Sequence, residues 1–115
     1  MLPFRYLPQE QQRGLAVKAL RRALASFRSC RATLKTRKLL DSVIPAYMLS
    51  PLDYTQFIRT LEEMCGEVVE DEHGRPWRIM WLRKDSHGRT TVALRRLDGV
   101  EAREEVVQRD RGNHS

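Results

Sequence analysis

Apolar residues recur at helical spacing in the first half of this chain and at alternating spacing in the second, and the change falls at Gly66. Val17, Leu20, Leu24 and Phe27 lie at i, i+3, i+7 and i+10, a single stripe that predicts a helix over residues 9–29. Ala16, Ala19 and Ala23 support it by propensity, whereas Gly14 costs about 1 kcal/mol inside a helix and favours a start just after it. A second helix is expected over residues 33–44, with Thr33 as its N-cap and Leu40, Val43 and Ile44 as a short apolar face that Pro45 ends. A third, over residues 51–65, has the clearest boundaries. Ser50 is placed to cap it, Pro51 takes the first position, Asp53 stands where a capping-box acid belongs, and Gly66 supplies a left-handed stop. Tyr54, Phe57, Ile58, Leu61 and Met64 form its buried stripe.

Strands are expected at about 67–71, 77–83 and 90–96. In the middle one Trp77, Ile79 and Trp81 alternate with Arg78, Met80 and Leu82, which predicts a strand covered on both faces. One string punctuates these strands twice, Asp71-Glu72-His73-Gly74-Arg75 and Asp85-Ser86-His87-Gly88-Arg89. Asp suits the first position of a type I turn, and Gly the left-handed position after it. The expected fold class is α+β, with three helices followed by a three-stranded antiparallel meander. Residues 1–8, with Pro3 and Pro8, form an N-terminal arm in which Phe4, Tyr6 and Leu7 are available for packing. The domain spans 9–97, and 98–115 make a charged, partly disordered tail.

The chain has 115 residues, enough for one domain with one modest core. Its net charge of +6 is unevenly spread. Residues 1–44 carry ten Lys/Arg against Glu10 and Asp41, and residues 75–96 carry seven against Asp85. Between them, residues 66–72 hold four acids and no cation. Basic blocks favour phosphate through counterion release, so a polyanionic partner is expected. No apolar run is long enough to span a membrane, and a cytoplasmic location is expected, or a nuclear one in a eukaryote. The Arg-rich, acid-poor start has the composition of a mitochondrial presequence, but the first helix is needed for the core. Cys30 and Cys65 make no disulfide framework and are expected as buried free thiols.

Ser50-Pro51-Leu52-Asp53-Tyr54-x-x-Phe57-Ile58-x-x-Leu61, then Gly66 and a hairpin with its tip at 72–75, resembles the winged helix-turn-helix superfamily in layout over residues 9–84. It departs from that pattern twice: no short strand is evident between the first two helices, and the 90–96 strand is extra. The resemblance implies a recognition helix at 51–65, with Thr55, Gln56 and Arg59 toward base edges. It implies Lys35, Thr36, Arg37 and Lys38 as phosphate contacts. Hairpin 67–83 becomes the wing, with Arg75 at its tip, while Arg83, Lys84 and Arg89 gather near the second turn. Asp53, Glu62 and Glu63 against Arg59 leave the recognition helix net negative, which opposes deep insertion beside phosphates.

No phosphate-cradling Gly loop, nucleophile elbow or metal-ligand cluster is visible, so neither an enzyme nor a cofactor is expected. His73 and His87 each precede a turn glycine and are read as tolerated turn residues. Trp77 and Trp81, with Tyr54 and Phe57, are read first as core and second as a stacking platform for single strands. A double-stranded-RNA-binding arrangement of residues 51–110 lacks the basic helix start it needs, with Glu101, Glu104 and Glu105 there instead. The expected function is a small duplex-DNA-binding transcriptional regulator. The alternative is a winged-helix-like protein-interaction module, with a homodimer or protein partner docking on the N-terminal arm, helix 9–29 or the third strand.

Overall fold

A computed structural model describes residues 2–97; the expected tail lies outside the described residues. The described chain is α+β, with three α-helices and one four-stranded antiparallel sheet. The helices are α1 (Gln9–Leu24), α2 (Thr36–Val43) and α3 (Pro51–Glu63), and the strands are β1 (Arg31–Lys35), β2 (Val68–Glu70), β3 (Pro76–Lys84) and β4 (Thr90–Arg96). Two short 3-10 helices, Phe4–Tyr6 and Ala46–Met48, precede α1 and α3.

The expected order of all helices before all strands is corrected by β1. Residues 31–35 alternate out and in: Ala32 and Leu34 are buried, and Arg31, Thr33 and Lys35 are exposed. That is the period of a half-buried strand, carried by only two apolar residues. The second helix therefore starts at Thr36, and Thr33 is a strand residue rather than its cap. β1 pairs with β4, so the sheet runs β1-β4-β3-β2, and the expected β2-β3-β4 meander gains a fourth strand on its far edge.

The helices cover one face of this sheet. Leu20 and Leu24 of α1, Leu39 and Leu40 of α2 and Phe57 and Leu61 of α3 meet Leu34, Trp77, Ile79, Val92 and Leu94 in one core. Helix α1 runs through Gly14, which sits on its exposed side, and stops at Leu24; Phe27 lies beyond it, edge-on to Trp77. The N-terminal segment is part of the domain. Phe4 is buried edge-on to Phe57, with ring centroids 5.7 Å apart. The Arg5 backbone N–H donates to Asp53 at 3.0 Å, and the Arg5 guanidinium donates to Asp53 and to Ser50. Asp53 also accepts the Ser50 backbone N–H at 2.8 Å, the acid half of a capping box. Burial alone would raise the Asp53 pKa, but the donors from Ser50 and Arg5 outweigh it and lower it.

Strand β3 contains a bulge that changes which residues face out. Ile79 pairs with Leu94, and the next pair is Trp81 with Ala93, leaving Met80 as an extra residue. A one-residue shift exchanges the faces of every later side chain. Leu82 thus packs against the core, and Trp81 lies on the outer face at 46% exposure. The expected core pair is split: Trp77 is fully buried, and Trp81 is not. Both cysteines, expected to be buried, are exposed.

Candidate nucleic-acid interface

The repeated string builds the same turn twice. In each copy the Asp carboxylate accepts the backbone N–H groups of the His and the Arg, at 2.8 and 3.0 Å in the first and 2.9 and 2.8 Å in the second. Gly74 and Gly88 take φ of 78° and 77°, which a side chain rarely adopts. The two turns close opposite ends of β3, about 30 Å apart at ~3.3 Å per residue.

Their surroundings differ completely. Asp71 is buried and accepts two further donors, the Trp77 indole N–H at 3.0 Å and Arg75 Nε at 2.6 Å. Burial pushes its pKa up, but the Trp77, Arg75 and His73 donors prevail and hold it at about 2. Arg75 Nη2 also donates to the carbonyls of Leu24 and Ala25, capping the end of α1. The first tip is therefore a structural staple, and its arginine is engaged in holding α1. Every residue of the second tip, 85–89, is exposed.

That second tip faces the start of α2. Lys35, Arg37 and Lys38 line a cleft together with Tyr54 and Ile58 of α3 and His87 and Arg89 of the tip. The buried Thr36 hydroxyl donates to the Thr90 carbonyl at 3.0 Å and ties the base of the hairpin to α2. Tyr54 forms the wall between the helices. Its hydroxyl donates to Asp41, and the Arg37 guanidinium sits 4.9 Å from its ring centroid. Burial first, and Asp41 second, raise the Tyr54 pKa, so its proton stays in place. Four cations in the cleft face one carboxylate, Asp41. No family model, no curated protein and no solved structure matches this chain.

The remaining candidate residues spread over several surfaces. Thr55 and Arg59 are exposed on α3, the Thr55 hydroxyl bonding back to the Pro51 carbonyl. Gln56 is half-buried and donates to Gln12 of α1, within a network that includes Thr60, so it joins two helices. Arg83 and Lys84 are exposed on β3 before the second tip. The acidic end of α3 points away from the cleft. Glu63 accepts from Gln9, and Glu67, just beyond the helix, pairs with Arg13. Tyr54 and Glu63 are about 14 Å apart along the helix at 1.5 Å per residue. Sequence reasoning missed Tyr54, His87 and Asp41 as cleft residues. Tyr54 was hidden within an apolar stripe, whose edge positions are the ones that reach a cleft. Among the described residues no His, Cys, Asp or Glu cluster could hold a metal ion, and no helix is long and apolar enough to cross a membrane.

Proposed function

We propose that this protein binds duplex DNA in the manner of a winged helix, as a small transcriptional regulator. The observation that carries the reading is the convergence of Lys35, Arg37 and Lys38 with Arg89, some fifty residues later, on one cleft. Helices α2 and α3 serve as the helix-turn-helix pair. The β3–β4 hairpin, not the first hairpin, serves as the wing, and β1 takes the place of the short strand between the first two helices. Lys35, Arg37, Lys38 and Arg89 contact phosphates and set the register; Thr55 and Arg59, on the exposed side of α3, are the candidates for base edges. Pairing of Glu63 and Glu67 with α1 keeps those acids away from the phosphates.

The test is fluorescence anisotropy with a random-sequence duplex at several salt concentrations. Changing Lys35, Arg37 and Lys38 together to Ala is expected to weaken binding uniformly across sequences and to lower the log–log salt slope by about 3. Unchanged affinity in the triple variant would overturn the reading. A protein-interaction module is the second reading, favoured by the exposed apolar residues Leu2, Tyr6, Tyr47 and Leu52. Arg5 holds the segment bearing two of them against Ser50 and Asp53 at the start of α3. That reading gains if the chain binds no duplex at low salt.

A further inference from the structure

The sheet face opposite the helices carries a second constellation, which shares only Lys35 with the cleft. Side chains on this face fall in rows set by the strand register. Arg31, Arg95 and Arg78 form one row across β1, β4 and β3. Thr33, Ala93 and Trp81 form the next, and Lys35, Thr91 and Arg83 the third. An exposed tryptophan thus lies beside two small side chains, between two rows rich in cations. The Arg83 guanidinium sits 5.4 Å from the Trp81 ring centroid. The bulge at Met80 is what presents the indole here; regular pairing from Ile79 would set position 81 opposite Val92, in the core.

A large aromatic ring held out of the core exposes apolar surface to water, a cost that a flat apolar ligand removes. The ligand that matches an aromatic face flanked by cations is a nucleobase joined to phosphates. Bases of any identity stack on aromatic rings, while a basic surface tracks the strand. A duplex does not offer this pairing of groups, because its bases are already stacked on each other. We propose that the open face of the sheet binds unpaired nucleic acid, with Trp81 stacking a base and Arg31, Lys35 and Arg83 contacting its phosphates. Lys35 stands at the boundary, lining the cleft and closing the third row of the sheet face. The stacking site does not depend on duplex binding, since none of its other members lines the cleft.

The experiment titrates 5′-fluorescein-labelled dT12, rU12 and a random 12-base-pair duplex with wild-type protein and with Trp81→Ala, Trp81→Phe and Lys38→Ala variants at low salt. Trp81→Ala is expected to weaken dT12 or rU12 binding about ten-fold or more. Trp81→Phe keeps a stacking face and is expected to stay within about three-fold of wild type. Lys38→Ala lowers duplex affinity and spares the single strands if both sites operate. The polymer bound more tightly identifies whether DNA or RNA is preferred. Binding should also quench tryptophan emission in the wild type more than in Trp81→Phe. Far-UV circular dichroism checks that each variant is folded. Three outcomes overturn the proposal: no binding of either single strand by wild-type protein, equal single-strand binding by Trp81→Ala, or an equal loss for duplex and single strand in that variant.

Discussion

The indole N–H of Trp77 donates to Asp71 across 3.0 Å, coupling the largest buried side chain of the core to the turn of the first hairpin. The same carboxylate binds Arg75, whose guanidinium reaches the last carbonyls of α1. Core, hairpin and helix end therefore meet at one buried anion. An anion so placed is stable only while all its donors are present, because an unpaired buried charge is costly.

Asp71→Asn is expected to cost about 2–3 kcal/mol, because several charge-assisted hydrogen bonds weaken at once and one amide N–H group faces donors. The same change at Asp85, in an identical but exposed turn, is expected to cost less than ~1 kcal/mol. Urea denaturation of the two variants measures the difference. Equal losses would mean that the turn geometry, and not the buried network, carries the stability.

Acid should unfold the protein through the same group. Asp71 is held at about 2, below the ordinary carboxylate value of 3.8, and Asp53 is also lowered. A carboxylate with a depressed folded-state pKa contributes stability above its unfolded value, and this is lost as pH falls toward its folded value. The urea midpoint is expected to fall between about pH 4 and pH 2, and Asp71→Asn should flatten much of that slope. A slope unchanged in the variant would assign the acid sensitivity to other carboxylates.

The two tryptophans should behave as opposites. Trp77→Phe leaves a void and removes one of the four donors to the buried Asp71 carboxylate, and is expected to destabilise by roughly 2–4 kcal/mol. Trp81→Phe is expected to change stability by less than ~0.5 kcal/mol, as exposed positions do. Emission from Trp77 alone, in the Trp81→Phe protein, should be blue-shifted relative to the wild type. Iodide quenching checks this: Trp81 should be accessible and Trp77 protected.

The N-terminal segment is expected to be needed for stability. Phe4→Ala removes a buried ring from against Phe57 and should cost about 3–5 kcal/mol. Asp53→Ala loses the acid half of the α3 capping box and leaves the Arg5 backbone N–H without its acceptor, at about 1–3 kcal/mol. Thermal melts of both variants decide this; a Phe4→Ala protein as stable as wild type would make the segment an appendage.

Much of the architecture was legible because the signals were local. Ser50-Pro51 and Gly66 bracket α3 closely, and both Asp-x-His-Gly-Arg turns form where their Asp and Gly place them. β1 was not legible, because two buried residues in five give little periodicity, and the strand exists by pairing with β4, some sixty residues later. The bulge was illegible for the same reason: strict alternation in β3 gives no sign that pairing slips at Met80. In the candidate site, the cations of α2 could be read as a block. Their neighbour could not, since two copies of one string differ only in what surrounds them. Arg75 and Arg89 occupy equivalent turn positions, yet one caps a helix and the other lines the cleft.

The bulge in β3 also bears on how this chain can change length. Met80 is the residue without a counterpart on β4. Losing it would join Ile79 to Trp81 in regular pairing, with Trp81 still outward and Leu82 still inward. Loss of Trp81 would set Met80 in its outward place and remove the aromatic, and loss of Leu82 would turn Trp81 or Arg83 toward the core. Position 80 is therefore the point in this strand where a deletion leaves both faces intact. Homologous chains one residue shorter in the hairpin, and still presenting an outward aromatic, should carry their gap there.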